Sequence, residues 1–253
     1  KNQKMNVLLI QPPHPEDLNR EYLSIQIPIN LAIIGASLEQ EGANLRAADY
    51  IVDKFIKSDF LHLLQEFKPK MVGFTSMTPS IYLVREIAKI IKEHNKDILI
   101  ILGGIHITML PKETMKEIPY IDIGVIGEGD ITIKEIYRAI KLNKSLKKIK
   151  GIVYRNGDKI KLTKPRELIK NLDELPIPAR HLFNVHKYQK AHVSRVFSRN
   201  QLKIAELFTS RGCPYKCIFC SNIFPHFVRF RSYENIVAEV DSLIKYYKIN
   251  HLS

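Results

Sequence analysis

From Asn6 to Leu142, short apolar runs alternate with longer stretches whose apolar residues recur every three or four positions. The short runs are NVLLI (Asn6 to Ile10), ANLRAADY (43–50), MVGFT (Met71 to Thr75), DILIILGG (97–104) and YIDIGVIGEG (120–129). Each is too short for a buried helix and reads as a strand. The longer stretches, Pro28–Glu41, Phe55–Phe67, Pro79–His94 and Asp130–Leu142, read as helices, with Gly42 stopping the first. Strands apolar along their whole length and separated by helices predict a parallel sheet covered on both faces. The expected fold class is therefore α/β, a doubly wound, flavodoxin-like parallel sheet of about five βα units. Ligands of such sheets sit beyond the carboxyl ends of the strands. Small and polar residues collect there: Thr75 and Ser76, Gly103 and Gly104, and the run Gly127, Glu128, Gly129.

The pattern then changes. GIVYRNGDKIKL holds two short strand-like runs around Asn156 and Gly157, which suits a tight hairpin turn. NLDELPIPARHLF carries Pro176 and Pro178, which forbid a regular helix and mark a linker. LKIAELFTS (202–210) reads as one strand running into the cysteines. Ser232 is a good cap for the helix YENIVAEVDSLIKYY, and a further strand begins in the terminal INHLS. The expected division is 1–143, a ligand-binding α/β domain; 144–200, a basic hairpin and proline-containing linker; and 201–253, the start of a further βα unit.

Composition narrows the classes. Hydrophobic residues make up 45% of the 253, enough for a packed core. No apolar run reaches the ~18 residues of a membrane span. The first apolar run is too short for a signal-peptide core and is followed by Pro12 and Pro13, so a cytoplasmic protein is expected. Net charge is +13, but residues 141–170 alone carry eleven Lys/Arg against two Asp/Glu. A solvated basic hairpin explains that excess better than nucleic-acid binding does, because no aromatic-rich sheet motif accompanies it.

The cysteines change the picture most. There are three, Cys213, Cys217 and Cys220, in SRGCPYKCIFCSN. An odd, clustered set is a metal or redox site and not a disulfide framework. A four-iron cluster normally takes four thiolates, so three on one loop leave one iron open to substrate chemistry. Gly212 and Pro214 shape the turns that bring sulfurs to one side. A zinc site completed by His226 is the competing reading. Arg211 and Lys216 would lower the thiol pKa under either.

The string TSRGCPYKCIFCS resembles the radical S-adenosylmethionine superfamily. The resemblance implies a [4Fe–4S] cluster held by Cys213, Cys217 and Cys220, S-adenosylmethionine on the open iron, and Phe219 beside the adenine. It also implies a partial (β/α) barrel, of which only the first part fits in the 33 residues after Cys220. The chain is therefore expected to be the N-terminal piece of a longer enzyme.

Before the cysteines, IQPPHP, PINLAIIGASLEQEGANLRAADY, LGGIH and IGEGD, in that order, resemble the cobalamin-binding domain that precedes many of these enzymes. NLDELPIPAR resembles their linker. The resemblance implies that Gly103 and Gly104 let the backbone approach a corrin or its tail. Thr75, Ser76 and Thr78 would bond its arms, Gly127 and Gly129 would shape a turn against it, and Glu128 would accept from a ribose or amide. Asp130 stands for the second acid of the family's GEGE. His14 lacks the Asp two before it and the Gly three after it that mark a cobalt-ligating loop, so His-on cobalt is not expected. His106 is placed at the tail or in a turn. The implied function is methyl transfer to, or rearrangement of, an unactivated carbon through a 5′-deoxyadenosyl radical. A small-molecule or peptide substrate and an electron donor such as a flavodoxin or ferredoxin would be the partners. The alternative is a non-catalytic cobalamin-binding module with a vestigial cluster loop.

Overall fold

The computed structural model of the chain describes residues 4–15, 25–191, 203–221, 223 and 225–252. Five strands and the helices between them follow the sequence pattern. They are β1 (Asn6–Gln11), α1 (Ile29–Gln40), β2 (Asn44–Asp49), α2 (Lys57–Phe67), β3 (Met71–Ser76), α3 (Ile81–His94) and β4 (Leu99–Gly104). Two short helices follow, α4 (Ile105–Met109) and α5 (Pro111–Glu117), then β5 (Ile123–Val125) and α6 (Asp130–Lys141). The remaining elements are β6 (Ile152–Asn156), β7 (Lys159–Leu162), α7 (Val185–Ala191), β8 (Ile204–Ala205), β9 (Ser210–Arg211), β10 (Arg229–Phe230), α8 (Tyr233–Tyr247) and β11 (His251–Leu252).

One seven-stranded sheet has the order β2-β1-β3-β4-β5-β6-β7. Its first five strands run parallel in the doubly wound order. The predicted hairpin adds β6 antiparallel to β5 and β7 beyond it, so the basic segment forms the sheet's margin. Its loop is Gly157–Asp158, one residue later than expected. Lys159 and Lys161 are exposed on this edge strand, where lysine discourages pairing with another sheet.

Side-chain alternation explains the two-sided burial. In β1, Leu8 and Ile10 meet Phe60, Leu64, Val84, Ile87 and Ile107 from α2–α4 on one face. Val7 and Leu9 meet Leu38 of α1 and Ile133, Ile136 and Tyr137 of α6 on the other. α3 buries Val84, Ile87, Ala88 and Ile91, a single stripe at helical spacing.

Three sequence expectations are corrected. The strand read over 120–129 is only three residues long. Helices α4, α5 and α7 were not foreseen. The strand read over 202–210, whose first residue lies outside the described set, is in fact two dipeptide strands. β8 pairs parallel with β11, and β9 pairs antiparallel with β10. Each ends where its two-residue partner ends.

The linker is docked. The Ala179 amide donates to the Ala32 carbonyl at 2.9 Å, and Leu182 packs against Gly35 in α1. Arg180 is buried and pairs at 2.6 Å with Glu239 of α8, which also pairs with Arg231 at 2.5 Å. α8 begins as predicted: the Asn235 amide donates to Ser232 Oγ at 3.2 Å. Among the described residues, no helix is long and apolar enough to cross a membrane.

Candidate functional site at the carboxyl edge of the sheet

β3 and β4 end side by side, with Thr75 opposite Gly103 and Ser76 opposite Gly104. Ser76 Oγ donates to the Gly103 carbonyl at 2.8 Å, and Asn30 Nδ2 donates to Thr75 Oγ1 at 2.9 Å. Thr75 keeps its own proton for another acceptor. His106 is buried, with Nδ1 3.1 Å from Thr78 Oγ1. Burial lowers its pKa, against the opposing charge of Glu117, so it is neutral near pH 7. Thr108 Oγ1 donates to the Gly104 carbonyl at 2.8 Å and accepts from the Gly127 amide at 3.1 Å, joining the turn after β5 to this group. Met77, Ile105 and Met109 remain exposed at the same strand ends. Small backbone, convergent hydroxyls and exposed apolar side chains suit a flat, largely apolar ligand with polar arms.

The turn Gly127–Asp130 is built differently from the expectation. Both oxygens of Glu128 are committed to protein. Arg229 donates from Nη2 to Oε1 at 2.7 Å and from Nη1 to Oε2 at 3.0 Å. The Ile169 amide donates to Oε2 at 3.0 Å. Arg211 makes a fork on Asp130, 2.8 and 3.0 Å, and lies 3.7 Å from Glu128. Gly129 sits against Ile34 of α1. The sequence held only a partial signal for these pairs: two acids in one turn, and arginines on both flanks of the cysteine loop, Arg211 before it and Arg229 and Arg231 after it.

Burial pushes the Glu128 carboxyl up, but the hydrogen bonds of Arg229 and Ile169 and the charges of Arg229 and Arg211 outweigh it, and its pKa lies below the ordinary 4.5. An acid with a depressed folded pKa contributes stability that is complete above its unfolded pKa and is lost as pH falls through the folded value. Denaturation midpoints measured against pH are therefore expected to fall less steeply below pH 4.5 in Glu128→Gln than in the parent.

The cysteines lie on the loop between β9 and β10. The Cys213 amide donates to the Pro225 carbonyl at 3.2 Å, and the Cys220 amide to the Cys217 carbonyl at 3.0 Å. Cys213 is half-buried, while Cys217 and Cys220 are exposed; all three are free thiols. Phe219 is exposed beside them. Among the described residues, no three His, Cys, Asp or Glu groups are gathered as a metal set, so the thiols share a loop without converging, and His226 is not drawn in. In donor chemistry, three unpaired thiols suit an iron–sulfur cluster.

Fold and site together define an α/β ligand-binding domain, of the kind that opens at the carboxyl edge of its sheet, with a thiol loop held against that edge. Residues 16–137 match the family described as "B12 binding domain". The chain is homologous to cobalamin-dependent radical S-adenosylmethionine enzymes. It is 34% identical over 250 residues to "Uncharacterized methyltransferase PH0819" of Pyrococcus horikoshii, covering 98% of this chain and 52% of that protein. It is 28% identical over 222 residues to the anaerobic magnesium-protoporphyrin IX monomethyl ester cyclase of Cereibacter sphaeroides, covering 86% of this chain and 35% of the cyclase. The chain thus spans about half or less of the length of these relatives. Two solved structures share its fold. TsrM from Kitasatospora setae, with cobalamin and a [4Fe–4S] cluster bound, superposes with a TM-score of 0.71 at 20% identity, over 99% of this chain and 47% of TsrM. OxsB with aqua-cobalamin and S-adenosylmethionine gives 0.78 at 21%, over 99% and 34%.

Proposed function

We propose that this chain is the cobalamin- and cluster-bearing part of a radical S-adenosylmethionine enzyme that methylates, or rearranges, an unactivated carbon. When bound, a [4Fe–4S] cluster supplies the electron that opens S-adenosylmethionine, and a corrin supplies a transferable methyl group. The observation that carries the reading is the junction of two sites: the strand ends of a B12-binding domain lie against the base of a three-thiol loop.

The chain's residues divide the work. Met77, Ile105 and Met109 offer apolar surface to the corrin. Gly103 and Gly104 let the ring or tail approach the backbone. Thr75 donates to an arm, and Ser76 fixes the strand end. The neutral His106, tied to Thr78, borders the tail. Cys213, Cys217 and Cys220 bind the cluster, and Phe219 stands ready to cover the adenine. Residues 1–143 act as the corrin domain, 144–200 as its margin and linker, and 201–253 as the opening of the catalytic barrel. A reducing protein such as a flavodoxin or ferredoxin supplies the electron, and the substrate is a small molecule or peptide.

Anaerobic reconstitution with iron, sulfide and hydroxocobalamin tests this. The expected product holds iron and sulfide in equal amounts together with bound corrin. Retention of zinc alone, with no corrin, would overturn it. Corrin binding without any cluster would favour the non-catalytic module.

A further inference from the structure

The three-thiol loop is closed at its base by a two-residue ladder, in which Arg211 stands opposite Arg229 at the loop side and Ser210 opposite Phe230. Like charges directly opposed across two strands repel, so this pair is poorly suited to close a loop by itself. Two carboxylates of one turn compensate. Glu128 takes Arg229 through a fork, and Asp130 takes Arg211 through another. Asp130 also lies in the first turn of α6, where the helix dipole favours a negative charge. All four side chains are largely shielded; the Arg229 side chain is 8% exposed and that of Asp130 6%. Arg229 Nη1 donates further to the Ile169 carbonyl at 2.6 Å, and the Ile169 amide bonds Glu128, so the segment entering the linker is locked into the same arrangement. Arg211 is followed at once by Gly212 and Cys213.

We infer that Glu128 and Asp130 are positioning residues: by gripping the two arginines that close the cysteine loop, they fix the loop's thiols relative to the strand ends where the corrin is proposed to bind. Forked arginine–carboxylate pairs constrain direction as well as distance. Two of them, on the two strands of one ladder pair, remove the rocking that either alone would allow. The carboxylates of Glu128 and Asp130 thus work through Arg229 and Arg211. The consequence for cofactors rests on the function proposed above; the grip itself does not.

The experiment therefore has an arm without cofactors and an arm with them. In cofactor-free protein, amide hydrogen exchange is followed for 210–213 and 229–231, with the amides of β3 and β4 as internal reference. Glu128→Gln and the milder Asp130→Asn are expected to speed exchange at the loop base by roughly tenfold or more, the scale set by a shielded arginine left without its partner. The reference strands should be unchanged. Exchange in the exchanged-charge variant, Glu128→Arg with Arg229→Glu, should return toward the parent. Unchanged loop-base exchange in both single variants would overturn the grip, as would equal acceleration of the reference strands. In protein loaded with cobalamin and cluster, Asp130→Asn should retain both in full while the electron paramagnetic coupling between cob(II)alamin and the reduced cluster changes. An unaltered coupling would overturn the positioning role. Failure of the parent to take up cluster or corrin would instead count against the proposed function, leaving the exchange result to decide the grip.

Discussion

Gly212→Ala is expected to abolish iron–sulfur assembly while leaving the seven-stranded sheet folded. Gly212 has φ +110°, and a Cβ there would lie 2.0 Å from the Phe227 carbonyl oxygen. That oxygen belongs to backbone and cannot rotate aside, so the two sides of the loop must separate. The strain and the overlap each cost roughly 1–3 kcal/mol. The carboxyl-terminal part has little with which to resist, since its own core is Ala205, Leu243 and Ile249. The loop base therefore yields before the sheet does, and Cys213 loses the turn that precedes it. Iron content and visible absorbance after anaerobic reconstitution report the loss; far-UV circular dichroism and the melting temperature report the intact sheet. Cluster assembly at the parental yield would count against this account.

Gly104→Ala is expected to damage the fold itself. Gly104 has φ +100° and ψ −174°, a region essentially reserved for glycine. Its Cβ would stand 2.5 Å from the oxygen and 2.6 Å from the nitrogen of Ser76, at the last pair of the ladder between the central strands β3 and β4. A cost of about 3 kcal/mol or more follows, or roughly 10 °C in melting temperature. Gly103→Ala is the informative control. A Cβ there meets nothing nearer than the Phe74 carbonyl oxygen at 3.7 Å, an ordinary contact. That variant should melt with the parent yet bind hydroxocobalamin more weakly, because the methyl group fills the approach to the backbone. If Gly103→Ala binds corrin normally, the strand ends of β3 and β4 are not the corrin surface.

Periodicity sufficed for the sheet because both of its faces are buried. β1 and β3 are buried over most of their length and β4 over its middle, α3 and α6 show single apolar stripes, and the polar edge strand β2 is half-exposed, so local sequence and final environment agree. It failed where length is set by a partner. Ile204–Ala205 and the start of Ser210–Arg211 lie in the one stretch read as a strand, but each pairs with only two residues, and the stretch is cut accordingly. α4 and α5 were hidden in the run after Gly104, although Pro111 marks a helix start. At the site, the thiols were legible because three cysteines crowd eight residues. Glu128 was legible as a residue of consequence but not in its role. Its partner Arg229 is 101 positions away, and nothing near Glu128 distinguishes a carboxylate awaiting a ligand from one awaiting an arginine.

The docked linker bears on how the halves keep their spacing. A free connector would let its ends wander in proportion to the root of its length. Here the Ala179 amide is fastened to α1, Leu182 sits over the bare backbone of Gly35, and Arg180 reaches Glu239 in α8. The described part of the connector, up to Ala191, is thus a strut seated at several points and not a rope. The gap it spans is dictated by the surfaces it rests on, and the number of residues strung between them counts for little.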